Sequence, residues 1–224
     1  MSFNAGEVGI NTGRAIAPAG NTPESDRVLT PLALGRRCVQ ALRESGELHG
    51  HLLEPCAGAK LRGGFYHALI EERQSADPLD DSELPGPSRV SFCEIDEGLD
   101  FLDWDEPVRW IICNPPWSRT RFLSFVEHAF SLAPNVAFLC PAERAWRNSV
   151  KERARRSGHR RRAMWDVEWP EVWSRPRDEG GNGIVKPGFG LALVWWQRGY
   201  AGPIEQGELP EMQVLGGNGD GLRR

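Results

Sequence analysis

No run in this chain of 224 residues is long and apolar enough to span a membrane, and the stretch up to Pro23 lacks the basic-then-apolar order of a secretory signal. Cysteine is scarce and odd in number. Cys38, Cys56, Cys93, Cys113 and Cys140 form no CxxC and no Cys/His spacing, which argues against a disulfide framework and against a zinc site. They read as small core thiols of a reduced, cytoplasmic protein, most of them at or near strand ends, with no metal expected. A general positive charge is also missing, since the chain carries a net −4. Its basic residues are concentrated instead. Between Glu143 and Arg162 stand nine Lys/Arg against two Glu, a surplus of seven positive charges that leaves the rest of the chain at −11. An acidic protein with one basic segment suits one anionic partner.

Residues 1–26 show no apolar period and read as a flexible arm; residues 27–200 read as one domain and 201–224 as a flexible, Gly-rich tail. Thr30 and Pro31 supply an N-cap and a first-turn proline for a helix reaching about Ser45. Strands are expected at 51–56, 89–95, 108–113, 135–140, 164–168 and 189–197, and helices at 61–74, 119–132 and 143–157. The stretch 75–88 reads as an acidic, proline-rich loop, and 174–188 as a lid or an ordinary connection. Strands alternating with helices imply an α/β, Rossmann-like, doubly wound and mostly parallel sheet covered on both faces. Ligands bind at the carboxyl ends of such strands. The unusual clusters fall there: Glu54-Pro55-Cys56-Ala57-Gly58, Cys93-Glu94-Ile95-Asp96 and Asn114-Pro115-Pro116-Trp117.

The last cluster carries the most chemistry. Two consecutive prolines fix two φ angles and remove two N–H donors, stiffening the turn and leaving carbonyls free to accept. An amide precedes this rigid pair and an indole follows it. Such a set can grip a planar, NH2-bearing ring by edge and face, as on a nucleobase. A proline-rich turn with a Trp covering the sheet edge is the plain alternative, so the other motifs decide.

In their order these motifs resemble the S-adenosylmethionine-dependent methyltransferases, specifically those acting on the adenine amino group in nucleic acid; the likeness spans roughly residues 27–198. The resemblance implies a class I methyltransferase fold with S-adenosylmethionine as cofactor. Thr30-Pro31 is similar to the motif that touches the methionine carboxylate. Glu54-Pro55-Cys56-Ala57-Gly58 is similar to the glycine loop, with Glu54 facing the cofactor's ammonium group. Glu94 would accept from the ribose hydroxyls, Asp100 from the cofactor's adenine amine, and Phe101 would pack on that ring. Asn114, Pro115, Pro116 and Trp117 match the catalytic tetrapeptide. There the Asn114 amide oxygen and the Pro115 carbonyl would hold the target amine, and Trp117 would stack on an extruded base. Two departures stand out. Lys60 occupies the usual place of a second glycine, and there is no room between Asp96 and Asp100 for the customary crossover helix.

Arg147, Lys151, Arg155 and Arg156 are expected to contact phosphates beside the cleft. The expected activity is methylation of adenine N6 in DNA; RNA adenine or a protein glutamine amide would be gripped by the same logic. A non-catalytic nucleic-acid-binding relative is the reading that Lys60 supports. No separate target-recognition domain is visible, so a protein partner supplying specificity is a further expectation, and no membrane partner is expected. Trp165, Trp169, Trp173, Trp195 and Trp196 read as core or sheet-covering residues.

Overall fold

The computed structural model describes residues 29–45, 47–58, 63–75, 87–168 and 190–211, the side chain of Asp96 excepted. The expected flexible arm, Lys60, the 174–188 loop, Trp169, Trp173 and residues 212–224 lie outside them. In chain order the elements are α1 (Leu32–Glu44), β1 (Gly50–Glu54), α2 (Gly64–Ser75), β2 (Pro87–Phe92), β3 (Trp110–Cys113), α3 (Arg119–Leu132), β4 (Asn135–Pro141), α4 (Ala142–Trp146), α5 (Asn148–Arg156), β5 (His159–Val167), β6 (Leu191–Arg198) and β7 (Glu205–Glu208). One seven-stranded sheet runs β2-β1-β3-β4-β6-β5-β7. The β1/β2, β1/β3, β3/β4 and β5/β7 pairs are parallel, and β6 lies antiparallel between β4 and β5. Among the described residues no helix is long and apolar enough to cross a membrane.

Side chains alternate across a strand, so continuous apolar runs feed two cores at once. Leu52, Trp110, Ile112, Leu139, Leu193 and Trp195 join the α1/α2 face. Leu53, Ile111, Phe138, Val194 and Trp196 join the other, with Phe122, Phe125, Val126 and Phe130 of α3 and Val150 and Ala154 of α5. Trp110 and Trp195 pack with centroids 4.9 Å apart. Glycine sets how closely α1 and α2 meet. A Cβ on Gly64 would stand 2.4 Å from the Thr30 carbonyl oxygen, and one on Gly35 would stand 2.5 Å from the Gly64 oxygen.

Several sequence expectations need correction. Helix α1 starts at Leu32 with Pro31 at its N-cap and no side-chain cap; Thr30 is buried, and its carbonyl receives Gly64 N–H at 2.9 Å. The basic helix is two helices, because Arg147 is extended between them. The strand expected at 164–168 begins at His159 and absorbs Arg160, Arg161 and Arg162. Arg162 lies with its guanidinium carbon 4.3 Å from the Trp195 ring centroid, its charge held by Glu47, so a charged run serves a strand. The expected tail is not loose at its start. β7 pairs with β5, Leu209 is buried, and Arg37 binds the Leu209 and Pro210 carbonyls at 2.7 and 2.8 Å. After β2 the crossover is reduced to two single turns of 3-10 helix, Ile95–Glu97 and Phe101–Asp103, around a Glu94–Leu99 bridge. β2 therefore forms one edge of the sheet.

Candidate active site

The carboxyl ends of β2, β1, β3 and β4 lie in a row, and the motif residues sit along it. At the end of β1, Glu54 is 1% exposed, and its Oε1 accepts the Cys56 N–H at 2.8 Å. The carboxylate thus fixes the turn that follows. Cys93 N–H reaches the Glu54 carbonyl at 2.8 Å, and Ala57 N–H reaches the Cys93 carbonyl at 3.1 Å, so β1 and β2 stay locked beyond their last paired residues. Gly58 then adopts φ +79°, which favours glycine, and a Cβ there would strike Leu29 Cδ2 at 2.5 Å. Pro55 and Ala57 are buried, while Cys56 is half-buried.

This end is electronegative. Burial pushes the Glu54 carboxyl well above its ordinary range; the Cys56 N–H opposes the shift, and neighbouring Glu94 adds to it. Contact with the Cys113 thiol pulls the Cys56 thiol down, but burial and the charges of Glu54, Glu94 and Asp100 outweigh it, so the net shift is upward. The Cys113 thiol, fully buried, is raised well above its ordinary value by burial and then by Cys56. Acids and thiols gathered in this way favour a cation.

Glu94 is 6% exposed at the end of β2. Asp100 is half-buried, and its Oδ1 caps the following turn by accepting Leu102 N–H at 3.0 Å, so one of its oxygens already serves the backbone. Phe101 corrects the expectation of a ligand-facing ring. Its side chain is 1% exposed, packed 4.9 Å from Phe125 and 4.8 Å from His128 within the core. Leu102, 42% exposed, is the apolar residue of that segment left at the surface.

Asn114 directly follows β3, outside its ladder. The residue is half-buried and its Oδ1 is covered from solvent, so gripping an amine there requires the oxygen to be uncovered first. Pro115 is buried and Pro116 half-buried. Trp117 packs against the α1/α2 core, with Nε1–H 3.4 Å from the Leu139 carbonyl of β4. The tetrapeptide is thereby held between two strand ends.

The basic segment divides. Helix α5 leads from the carboxyl end of β4 to the amino end of β5, so Arg147 and Lys151 lie nearer the carboxyl ends of the parallel strands, and Arg155, Arg156 and Arg160 lie toward the opposite edge. Acids pair with part of it. Glu152 binds Arg155 at 2.9 Å and approaches Arg156 at 3.6 Å, and Glu127 binds Arg153 at 3.1 Å. Among the described residues Arg147 and Lys151 make no ion pair. Beside them Trp146 is 42% exposed, with the Arg161 guanidinium carbon 3.5 Å and Lys151 Nζ 5.7 Å from its ring centroid. An isolated Trp within a basic run gave no periodic signal, so Trp146 was not legible in the sequence.

No protein-family model matches this sequence, and no curated protein matches it. Solved structures do. A provisionally assigned RNA methyltransferase from Pyrococcus horikoshii superposes with a TM-score of 0.57 at 13% identity, over 80% of this chain and 90% of its own. The fold is that of a class I methyltransferase. A branched-chain polyamine synthase mutein from Thermus thermophilus, in complex with N4-aminopropylspermidine and 5'-methylthioadenosine, matches at 12% identity and a TM-score of 0.49, over 85% of this chain and 62% of its own. At these identities the likeness concerns the fold alone.

Proposed function

We propose that this protein transfers a methyl group from S-adenosylmethionine to the N6 amino group of adenine in DNA. The observation that carries the reading is the placement of Asn114-Pro115-Pro116-Trp117. This stiff diproline segment directly follows β3, whose neighbours in the sheet are the strand of the Glu54–Gly58 turn and β4. The cleft residues suit the cofactor. Gly58 opens a backbone cradle that a Cβ could not share with Leu29, and the buried acids Glu54 and Glu94 suit a cationic, hydroxyl-bearing ligand. Bound there, the cofactor would supply an activated sulfonium methyl.

The chain's own task is orientation. Adenine's amino lone pair is delocalised into its ring and is a poor nucleophile. With Asn114 Oδ1 and the Pro115 carbonyl each accepting one N–H, the nitrogen is held with its lone pair toward the methyl. Donors and acceptors preplaced in a dry site act without reorganising at the moment of reaction. Trp117, anchored on Leu139, offers a plate for the extruded base and offsets part of its unstacking. Arg147 and Lys151 supply positive charge near the cleft for phosphates.

Replacing Asn114 with alanine tests this reading. Turnover is expected to fall by about 10² to 10³, with S-adenosylmethionine affinity by calorimetry nearly unchanged. An active Asn114→Ala variant removes the residue from the mechanism. RNA and glutamine-peptide substrates assayed in parallel separate DNA from the other planar amines that the same grip would hold.

A further inference from the structure

The separation of cysteines along the chain hides a juxtaposition made by folding. Glu54 ends β1, Cys56 lies two residues beyond, and Cys113 ends β3, the parallel neighbour of β1 (Leu53 opposite Ile111). One donor atom from each, a carboxylate oxygen and two sulfurs, lies within 4.8 Å of the other two. Glu54 and Cys113 are buried, and Cys56 is half-buried. The two thiols also contact each other.

We infer that Glu54, Cys56 and Cys113 form a binding site for a soft divalent metal ion of the zinc class on the floor of the cleft. Two sulfurs and one oxygen are the donor types such an ion takes, and three protein ligands leave a fourth tetrahedral position open. Zinc bonds of about 2.0 to 2.3 Å place tetrahedral donors roughly 3.3 to 3.8 Å apart. The three donors therefore close by up to about 1.5 Å, and the turn that carries Cys56 can supply the movement. On binding, the Cys56 and Cys113 Sγ–H protons, and any proton on Glu54, pass to solvent while lone pairs of the two sulfurs and the oxygen bind the ion; no oxidation state changes. Once the protons have left, the ion supplies the countercharge that two thiolates and a carboxylate need when buried side by side. Because Glu54 belongs to the same floor as the proposed cofactor site, ion and methyl donor exclude each other. That corollary rests on the proposed function; the metal site itself does not.

The test uses the full chain purified with chelator and a thiol reductant, then titrated with Co2+. The expected result is a thiolate-to-cobalt charge-transfer band with tetrahedral visible bands, saturating at one ion per chain. Cys56→Ser and Cys113→Ser are each expected to weaken binding more than about a hundredfold, beyond the range set by losing a supporting neighbour. Wild-type protein gives a reading free of folding effects: saturating Zn2+ should slow alkylation of Cys56 at least tenfold. Absence of the thiolate band, undiminished affinity in both variants, an unchanged alkylation rate, or a Cys56–Cys113 disulfide formed in place of ion binding would overturn the site. Calorimetry with S-adenosylmethionine in chelator is read separately. No heat there counts against the methyltransferase reading and leaves the metal result standing.

Discussion

The two ends of the sheet handle buried polarity in opposite ways. At the amino ends the groups answer one another: Glu47 holds Arg162 and Gln197, and its carbonyl receives Trp110 Nε1–H at 2.9 Å. Trp195 Nε1–H donates to Asn135 Oδ1 at 3.2 Å, and His159 is bracketed by the Ala133 carbonyl and Ser157 Oγ at 3.0 and 2.8 Å. At the carboxyl ends like meets like, with Glu54, Glu94, Cys56 and Cys113 crowded together. Paired donors and acceptors stabilise a fold. Crowded acids destabilise it until a ligand arrives, which is how a binding site differs from a scaffold.

The largest way to break the contrast lies at the amino end. Trp195→Ala removes a fully buried indole and should cost about 3 to 5 kcal/mol in urea unfolding, and Asn135→Ala, which orphans that indole N–H, about 1 to 3 kcal/mol. In a double-mutant cycle the two should not add, since they share one bond. Additive losses would show the network to be independent contacts.

At the other end the loss should appear in binding. Glu94→Gln is expected to lower S-adenosylmethionine affinity about tenfold or more, near 1.4 kcal/mol, with the urea midpoint unchanged or raised because a repulsion is relieved. A lowered midpoint with intact affinity would make Glu94 a structural residue.

Acidity should separate the ends by sign. Glu54 holds its proton more tightly folded than unfolded, so its contribution is complete below the ordinary carboxyl range and is lost as pH rises through the folded value. His159 is pushed down to about 4, chiefly by burial, so its contribution is complete above about 6.5 and is lost as pH falls from there through about 4. Unfolding curves across pH should therefore lose their alkaline decline in Glu54→Gln and their acid decline in His159→Gln. The same slopes in both variants would show that neither group titrates as its surroundings dictate.

The smallest effect concerns the divided basic segment. Arg147→Ala and Lys151→Ala should each reduce the salt slope of DNA binding by about 1, whereas Arg155→Ala, whose guanidinium is held by Glu152, should leave it unchanged. Equal changes in all three would restore a single phosphate-binding face.

Much of this was legible because strong local signals agreed with the tertiary outcome. Apolar runs such as Trp110–Cys113 and Leu191–Arg198 announce buried strands, and the two prolines after Asn114 announce where β3 ends. β7, by contrast, is the polar Glu-Gln-Gly-Glu on an edge, with no buried face to impose a period. β5 opens on arginines whose guanidinium groups lie over indoles, a pattern that reads as solvent exposure until Trp195 is placed beneath Arg162. Phe101 was given a ligand-facing role only by the resemblance of its segment, yet it packs into the core beside α3 against Phe125. The Glu54–Cys56–Cys113 cluster joins residues far apart in the chain, so no spacing could show it.

The proposed methyl transfer is placed at the diproline segment that follows β3. Incubation with deuteromethyl-labelled S-adenosylmethionine and unmethylated DNA, followed by nucleoside mass spectrometry, tests it directly. Deuterated N6-methyladenine is expected with the native chain, and about 10² to 10³ times less of it with Asn114→Ala. Label absent from adenine, or equally present with the variant, would contradict it.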